Sequence, residues 1–92
     1  PKYFANFEVR SGSYSATLAE MTAVSSRENS GEYKKIVVRK GIGFEKDNAS
    51  GVELSSFWKE NDNYYTFVVS GRRLDEIKPI FESFLTSFSV PK

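Results

Sequence analysis

The sequence predicts an α+β fold, in which an antiparallel sheet of about five strands carries a C-terminal amphipathic helix on one face. Two patterns predict this class. Over the first 70 residues, short segments rich in β-branched and aromatic side chains are separated by turn-forming residues. After residue 76 the apolar residues take the spacing of a helix. With 92 residues, the chain is expected to form a single domain over 1–92.

A β-hairpin is the first predicted element. Residues 3–9 alternate in period two, which places four side chains on one face of a strand: Tyr3, Ala5, Phe7 and Val9. Turn-forming residues at 10–13 lead into a predicted partner strand from residue 14 to about Val24. The polar stretch 25–31 is then expected to be a surface loop.

The middle of the chain predicts a half-exposed strand followed by a break. Residues 33–40 have a β-branched centre with basic residues on both sides, which is typical of such a strand. Gly41-Ile42-Gly43 interrupts it as a strand break or bulge. Residues 44–47 are expected to add a short segment, and residues 47–51 are dense in turn formers.

A second hairpin is predicted over residues 52–70. Its first strand, 52–60, places Val52, Leu54 and Trp58 on one face and Phe57 on the other. The turn uses Asp and Asn, which tolerate left-handed backbone, and residues 64–70 form the strongest strand pattern of the chain.

The C-terminal helix follows from an apolar stripe at offsets 0, 3, 4, 7, 8 and 11: Ile77, Ile80, Phe81, Phe84, Leu85 and Phe88. Pro79 is compatible with a position near the helix start, so the helix is expected to begin between Asp75 and Lys78. An isolated helix of this length is marginal in water, so the stripe must cover the sheet.

Composition excludes most catalytic chemistries. The chain has no His and no Cys, and 13 basic against 12 acidic residues leave a net charge of +1. It therefore lacks the usual general base, the thiol nucleophile and the commonest transition-metal ligands. Gly41-Ile42-Gly43 lacks the third glycine of a dinucleotide site. We expect no catalytic residues, no metal, no cofactor and no enzyme activity.

Two weaker patterns lie in the predicted turns. Two pairs of side chains carry oxygen atoms that could bind calcium: Asp47 with Asn48, and Glu60 with Asp62. Neither pair follows EF-hand spacing. Side chains of this kind in turns usually bond their own backbone, which is the interpretation we favour. Asn48-Ala49-Ser50 matches the glycosylation triplet, which also occurs by chance.

Five residues are the predicted partner-binding set: Trp58, Tyr64, Tyr65, Lys35 and Arg39. The three aromatic residues gather around one turn, where an exposed patch would offer a contact surface. The alternative is that they are cross-strand pairs covering the core. The basic residues suit a single-stranded nucleic-acid surface only if aromatic residues interleave with them, and the balanced total charge favours simple solvation of a strand.

Three segments resemble the PsbP/Mog1-like superfamily: residues 51–60 with Phe57-Trp58-Lys59-Glu60, residues 63–69 with paired tyrosines, and residues 78–90 with Lys-Pro-Ile-Phe and Thr-Ser-Phe-Ser-Val. These segments are similar to small bacterial lipoproteins of that superfamily and to accessory C-terminal domains of membrane-associated metalloproteases. The resemblance covers the C-terminal half, and no family motif is seen in the N-terminal half. It implies an αβ sandwich used as a binding module, without catalysis.

These observations predict a non-catalytic interaction or accessory domain from a bacterial or organellar envelope protein or lipoprotein, acting outside the cytoplasm on a protein partner. The start at Pro1 suggests a processed chain, with membrane attachment only through a missing anchor. The alternative is a domain that binds a small apolar ligand or lipid between helix and sheet, in a cavity lined by Phe81, Phe84 and Phe88. The charge balance argues against nucleic acid as the partner.

Overall fold

A computed structural model of the protein describes residues 3–11, 22–27, 29, 31–60 and 63–89. The described chain contains five strands and two helices, in the order β1 (Tyr3–Ser11), α1 (22–27 and 29), β2 (Lys34–Ile36), β3 (Ile42–Asn48), β4 (Gly51–Glu60), β5 (Asn63–Gly71) and α2 (Leu74–Ser87). The strands form one antiparallel sheet in the order β1-β5-β4-β3-β2, and α2 packs on one face. The predicted α+β class is confirmed.

The sheet joins the N-terminal strand to the last one. β1 pairs with β5 along its whole length, from Tyr3 opposite Gly71 to Ser11 opposite Asn63. The partner strand predicted from residue 14 to about Val24 is wrong for residues 22–24, which are helical. The physical reason is that Val24 is buried against aromatic residues on the sheet face that does not carry α2. The rest of the predicted partner, residues 14–21, lies outside the described residues.

The hairpin predicted over residues 52–70 is confirmed, and its strands extend by one residue at each end, to Gly51 and Gly71. β4 and β5 pair from Val52 opposite Gly71 to Glu60 opposite Asn63, and the two residues between the strands lie outside the described part of the chain. Facing residues of antiparallel strands share a sheet face. Val52, Leu54 and Trp58 therefore share one face, as predicted, and that face carries α2.

The strand predicted over 33–40 is shorter than expected. β2 contains only Lys34–Ile36, paired with Glu45–Gly43 of β3. Residues 37–41 leave the sheet, so the predicted strand is wrong for 33 and 37–40, and the break predicted at 41–43 spans 37–41 instead. We call residues 37–41 the strap. The strap forms one wall of the candidate site.

Helix α2 begins at Leu74, one residue before the predicted range. The amides of Glu76 and Ile77 both donate to the Arg73 carbonyl, which starts the first turn. Pro79 is thus the sixth helical residue, and its missing N–H leaves the Asp75 carbonyl without the usual i+4 donor. No helix of the described residues is both long and apolar enough to cross a membrane.

Each sheet face has its own apolar cluster. The larger lies under α2 and joins residues of β4, β5 and the helix: Val52, Leu54, Trp58, Tyr65, Phe67, Val69, Ile77, Phe81 and Leu85. The smaller lies on the opposite face, where Val24 of α1 covers Phe44, Phe57 and Tyr64. The sheet is therefore buried on both faces near its centre.

Candidate binding groove

Helix α2 is too narrow to cover the sheet. Five strands span about 19 Å between the outer strand axes, whereas one helix with its side chains is about 10 Å wide. The apolar cluster under α2 is built from β4 and β5, and Phe7 of β1 meets the helix through Phe84 and Phe88. The β2–β3 side of the same face is left beside the helix, and a groove lies there.

The groove has an apolar floor. It encloses about 350 Å³ between α2, the sheet and the strap. Leu54 of β4 and the helix residues Phe81 and Leu85 line its base, and each is at most 3% exposed. Ligand sites in proteins usually occupy about 300 to 1,000 Å³, so the volume suits a few apolar side chains or a small ligand.

The strap forms the wall opposite the helix, and it is anchored at both ends. At its start, Val38 packs over Gly43 of β3, where an added Cβ would overlap Val38 Cγ1 and lie 3.0 Å from its Cγ2. At its end, the Ser56 hydroxyl of β4 donates to the Lys40 carbonyl. The Lys40 ammonium also lies 3.7 Å from a Glu60 carboxylate oxygen. The absent side chain at Gly43 thus makes the space in which the strap folds over the sheet.

Gly41 turns the chain from the strap back into the sheet. Its φ of +69° is left-handed, a conformation that costs L-residues about 1 to 2 kcal/mol. It also lies so close to β4 that an added Cβ would overlap the Phe57 carbonyl oxygen and lie 2.7 Å from Trp58 Cβ. Both constraints require glycine, so the strap's path is fixed by this residue.

Charges of both signs surround the groove. Arg39 on the strap and Lys78 on the helix are basic, whereas Glu45 on β3 and Glu82 on the helix are acidic. None of these four side chains makes an ion pair with another residue in the described part of the chain. The rim is therefore electrically balanced, and its charges are available to a bound molecule.

The strap's anchor yields a test on two adjacent buried serines of β4. Ser56 donates to the strap, whereas the Ser55 hydroxyl is buried without a hydrogen-bond partner among the described residues. We expect Ser56→Ala to lower the free energy of unfolding by about 1 to 2 kcal/mol. Ser55→Ala is expected to be neutral or stabilising by up to about 1 kcal/mol, because an unpaired hydroxyl is removed. Urea unfolding measures both, and equal losses would contradict the anchoring role of Ser56.

The structure places two of the predicted partner residues in the core. Trp58 and Tyr65 face each other across β4 and β5, with ring centroids 5.5 Å apart, and each is 5% exposed. Phe7 and Phe88 cover them, with centroids 5.0 Å apart. No exposed patch is formed by these two rings. They are a cross-strand pair under the C-terminal end of α2, which is the alternative that the sequence left open.

The other three predicted partner residues lie in two different places. Tyr64 is 8% exposed and stacks on Phe57 on the face opposite α2. Lys35 is exposed on β2, opposite Phe44 in the register, so it belongs to that face as well. Arg39 is exposed and lines the groove. Of the five residues, the structure therefore brings only Arg39 to the groove.

The apolar space expected between helix and sheet exists, but its lining differs from expectation. Phe81 lines the groove, whereas Phe84 and Phe88 turn toward Phe7 of β1 on the other side of the helix. Sequence reasoning missed the strap, because Val37 and Val38 have the β-branched character of a strand. The signal that could have found it is the pair of glycines at 41 and 43, because Gly41 turns the chain back into the sheet and Gly43 makes room for Val38.

No metal site emerges from the described residues, which contain no group of three or more acidic, His or Cys side chains able to hold a metal ion. Comparison with protein-family models, with curated proteins and with solved structures finds no match. The resemblance to the PsbP/Mog1-like superfamily thus rests on the residues quoted above and stays a prediction.

Proposed function

We propose that this protein is a non-catalytic binding domain that receives an apolar segment of a protein partner in the groove between α2 and the strap. The observation that carries the proposal is an apolar floor of buried side chains that opens to solvent between two walls. An apolar centre surrounded by a polar rim is the usual arrangement of a protein recognition surface.

Exposed apolar side chains beside the groove favour a macromolecular partner. Val37 on the strap is fully exposed, and Leu74 at the start of α2 is 38% exposed. Together they extend the apolar surface beyond the floor on two sides of the opening. A partner that covers them would bury more apolar area than a small ligand held on the floor alone, and apolar burial contributes about 25 cal/mol per Å².

Blocking the groove tests this function. Thr86 is exposed and lines the groove, so Thr86→Trp places an indole in the space that a partner would fill. Ser83 is exposed on the same helix outside the groove, and Ser83→Trp is the matched control. A library of random 12-residue peptides displayed on phage provides the probe. Peptides selected on the unmodified protein should bind the Thr86→Trp variant at least about tenfold more weakly, a loss of about 1.4 kcal/mol.

The control separates steric blocking from unfolding. The Ser83→Trp variant should retain the affinity of the unmodified protein, and both variants should keep its urea midpoint. Failure to select any peptide, or peptides that bind both Trp variants equally well, would contradict a binding role for the groove.

A small apolar ligand is the second candidate for the same groove. The buried floor and the volume of about 350 Å³ favour it, because both suit a short acyl chain. Dodecanoate added before native mass spectrometry should then give a one-to-one complex that the Thr86→Trp variant does not form.

An accessory role in a cell envelope, outside the cytoplasm, agrees with the resemblance of the C-terminal half and is part of the same proposal.

A further inference from the structure

We infer that the groove takes its partner as an extended peptide that pairs through its backbone with residues 37–39 of the strap and is oriented by Lys78 and Glu82. This inference rests on the proposed function and specifies the conformation and charge pattern of the bound segment. Three features of the groove point to it: unpaired backbone on one wall, matching spacing on the other and unpaired charges of opposite sign.

The strap offers an unpaired backbone. No backbone hydrogen bond joins residues 37–39 to another described residue, and the ladder with β3 ends at the pair Ile36 and Gly43. These residues line the groove directly after a strand at the edge of the described sheet. Unpaired peptide groups beside an apolar floor suit an extended chain, which supplies a donor and an acceptor at alternate positions. An acyl chain would leave those groups without partners.

The residues of α2 that line the groove recur at nearly the spacing of alternate residues in an extended chain. Leu74, Lys78, Glu82 and Thr86 line the groove four residues apart, which corresponds to steps of about 6 Å along the helix axis. Alternate residues of a strand are about 6.6 Å apart. A strand lying along the groove would therefore present one residue of the same face to each turn of α2.

Charge sets the expected sequence of the bound segment. Lys78 and Glu82 are exposed, without ion pairs among the described residues, and lie on successive turns of the helix. An acidic side chain beside Lys78 and a basic one beside Glu82 would be two positions apart in a strand. The residue between them would point to the floor formed by Leu54, Phe81 and Leu85. The bound segment is thus an acidic, an apolar and a basic residue in alternation.

Charge reversal tests the orientation. Peptides selected from the random library should carry an acidic and a basic residue two positions apart around an apolar one. They should lose about tenfold in affinity for the double variant Lys78→Glu, Glu82→Lys, which keeps the net charge. Synthetic peptides with the acid and the base exchanged should recover that affinity. The double variant Glu53→Lys, Lys59→Glu alters charges on the opposite face and should leave binding unchanged.

Backbone pairing is tested by methylating each amide of one selected peptide in turn. An edge strand donates from every second residue, so we expect losses of about tenfold that alternate with tolerated positions. Peptides that require an open groove, yet show neither charge preference nor an alternating methylation profile, would overturn this inference while leaving the proposed function in place. Loss of groove-dependent binding altogether would overturn the proposed function itself.

Discussion

Phe84→Ala is expected to lower the free energy of unfolding by about 3 to 5 kcal/mol, within the range of large aromatic truncations in cores. The Phe84 ring stacks on Phe67 of β5 with centroids 3.8 Å apart. It also lies 5.3 Å from the Phe7 ring of β1 and 5.4 Å from that of Phe88. One side chain therefore joins the helix to two strands. A small domain has about 5 to 15 kcal/mol of stability in total, so this variant should be largely unfolded at modest urea concentrations.

The control for Phe84→Ala is its exposed neighbour. Ser83→Ala should change the free energy of unfolding by no more than about 0.5 kcal/mol, as is usual for surface positions. Equilibrium urea unfolding followed by tryptophan fluorescence compares the two, because Trp58 lies in the same aromatic cluster. A loss below about 1 kcal/mol for Phe84→Ala would contradict packing of α2 through this ring.

Gly41→Ala is expected to destabilise the protein by about 2 to 5 kcal/mol. The left-handed backbone contributes about 1 to 2 kcal/mol, and overlap of the new Cβ with β4 contributes about 1 to 3 kcal/mol. The overlapping atoms belong largely to backbone and Cβ positions, which cannot move aside as the end of a flexible side chain can. The variant should also displace the strap and weaken every peptide that requires the groove.

Gly31→Ala isolates the backbone part of that effect. Gly31 has a comparable φ of +77°, but an added Cβ would meet no atom of the described residues within 4 Å. It should therefore lose only the backbone contribution of about 1 to 2 kcal/mol and leave peptide binding unchanged. Thermal unfolding of both variants gives the comparison. Equal losses at positions 41 and 31 would show that close approach of the strap to β4 contributes nothing.

The features that depend on local pattern could be predicted from the sequence. The apolar stripe of α2 and the hairpin 51–71 both arise from residues close in the chain, so periodicity and turn chemistry were sufficient. The pairing of β1 with β5 joins residues about 60 positions apart, and no local pattern specifies such a partner. Tertiary packing also determines the conformation of residues 22–24, where Val24 covers an aromatic cluster.

The candidate site was harder to predict, because exposure depends on what covers each face. The alternation of residues 52–60 correctly places Trp58 and Leu54 on one face, and α2 buries Trp58 and Tyr65 there. Tyr64 is buried on the other face, beside Phe57. Arg39 was predicted as a partner residue on a strand, and it lines the groove only because the strap leaves the sheet. The absence of side chains at Gly41 and Gly43 determines this path, and its effect is visible only once β4 and Val38 are in place.

The location of a bound peptide shows whether the groove between α2 and the strap is the binding site. Two-dimensional 1H–15N NMR of the labelled protein, titrated with one peptide selected on it, reports which amides change environment. We expect the largest shifts on residues 36–39, on Glu45 and Leu54, and on α2 from Leu74 to Thr86. Shifts centred instead on the opposite face, around Phe44 and Tyr64, would contradict it.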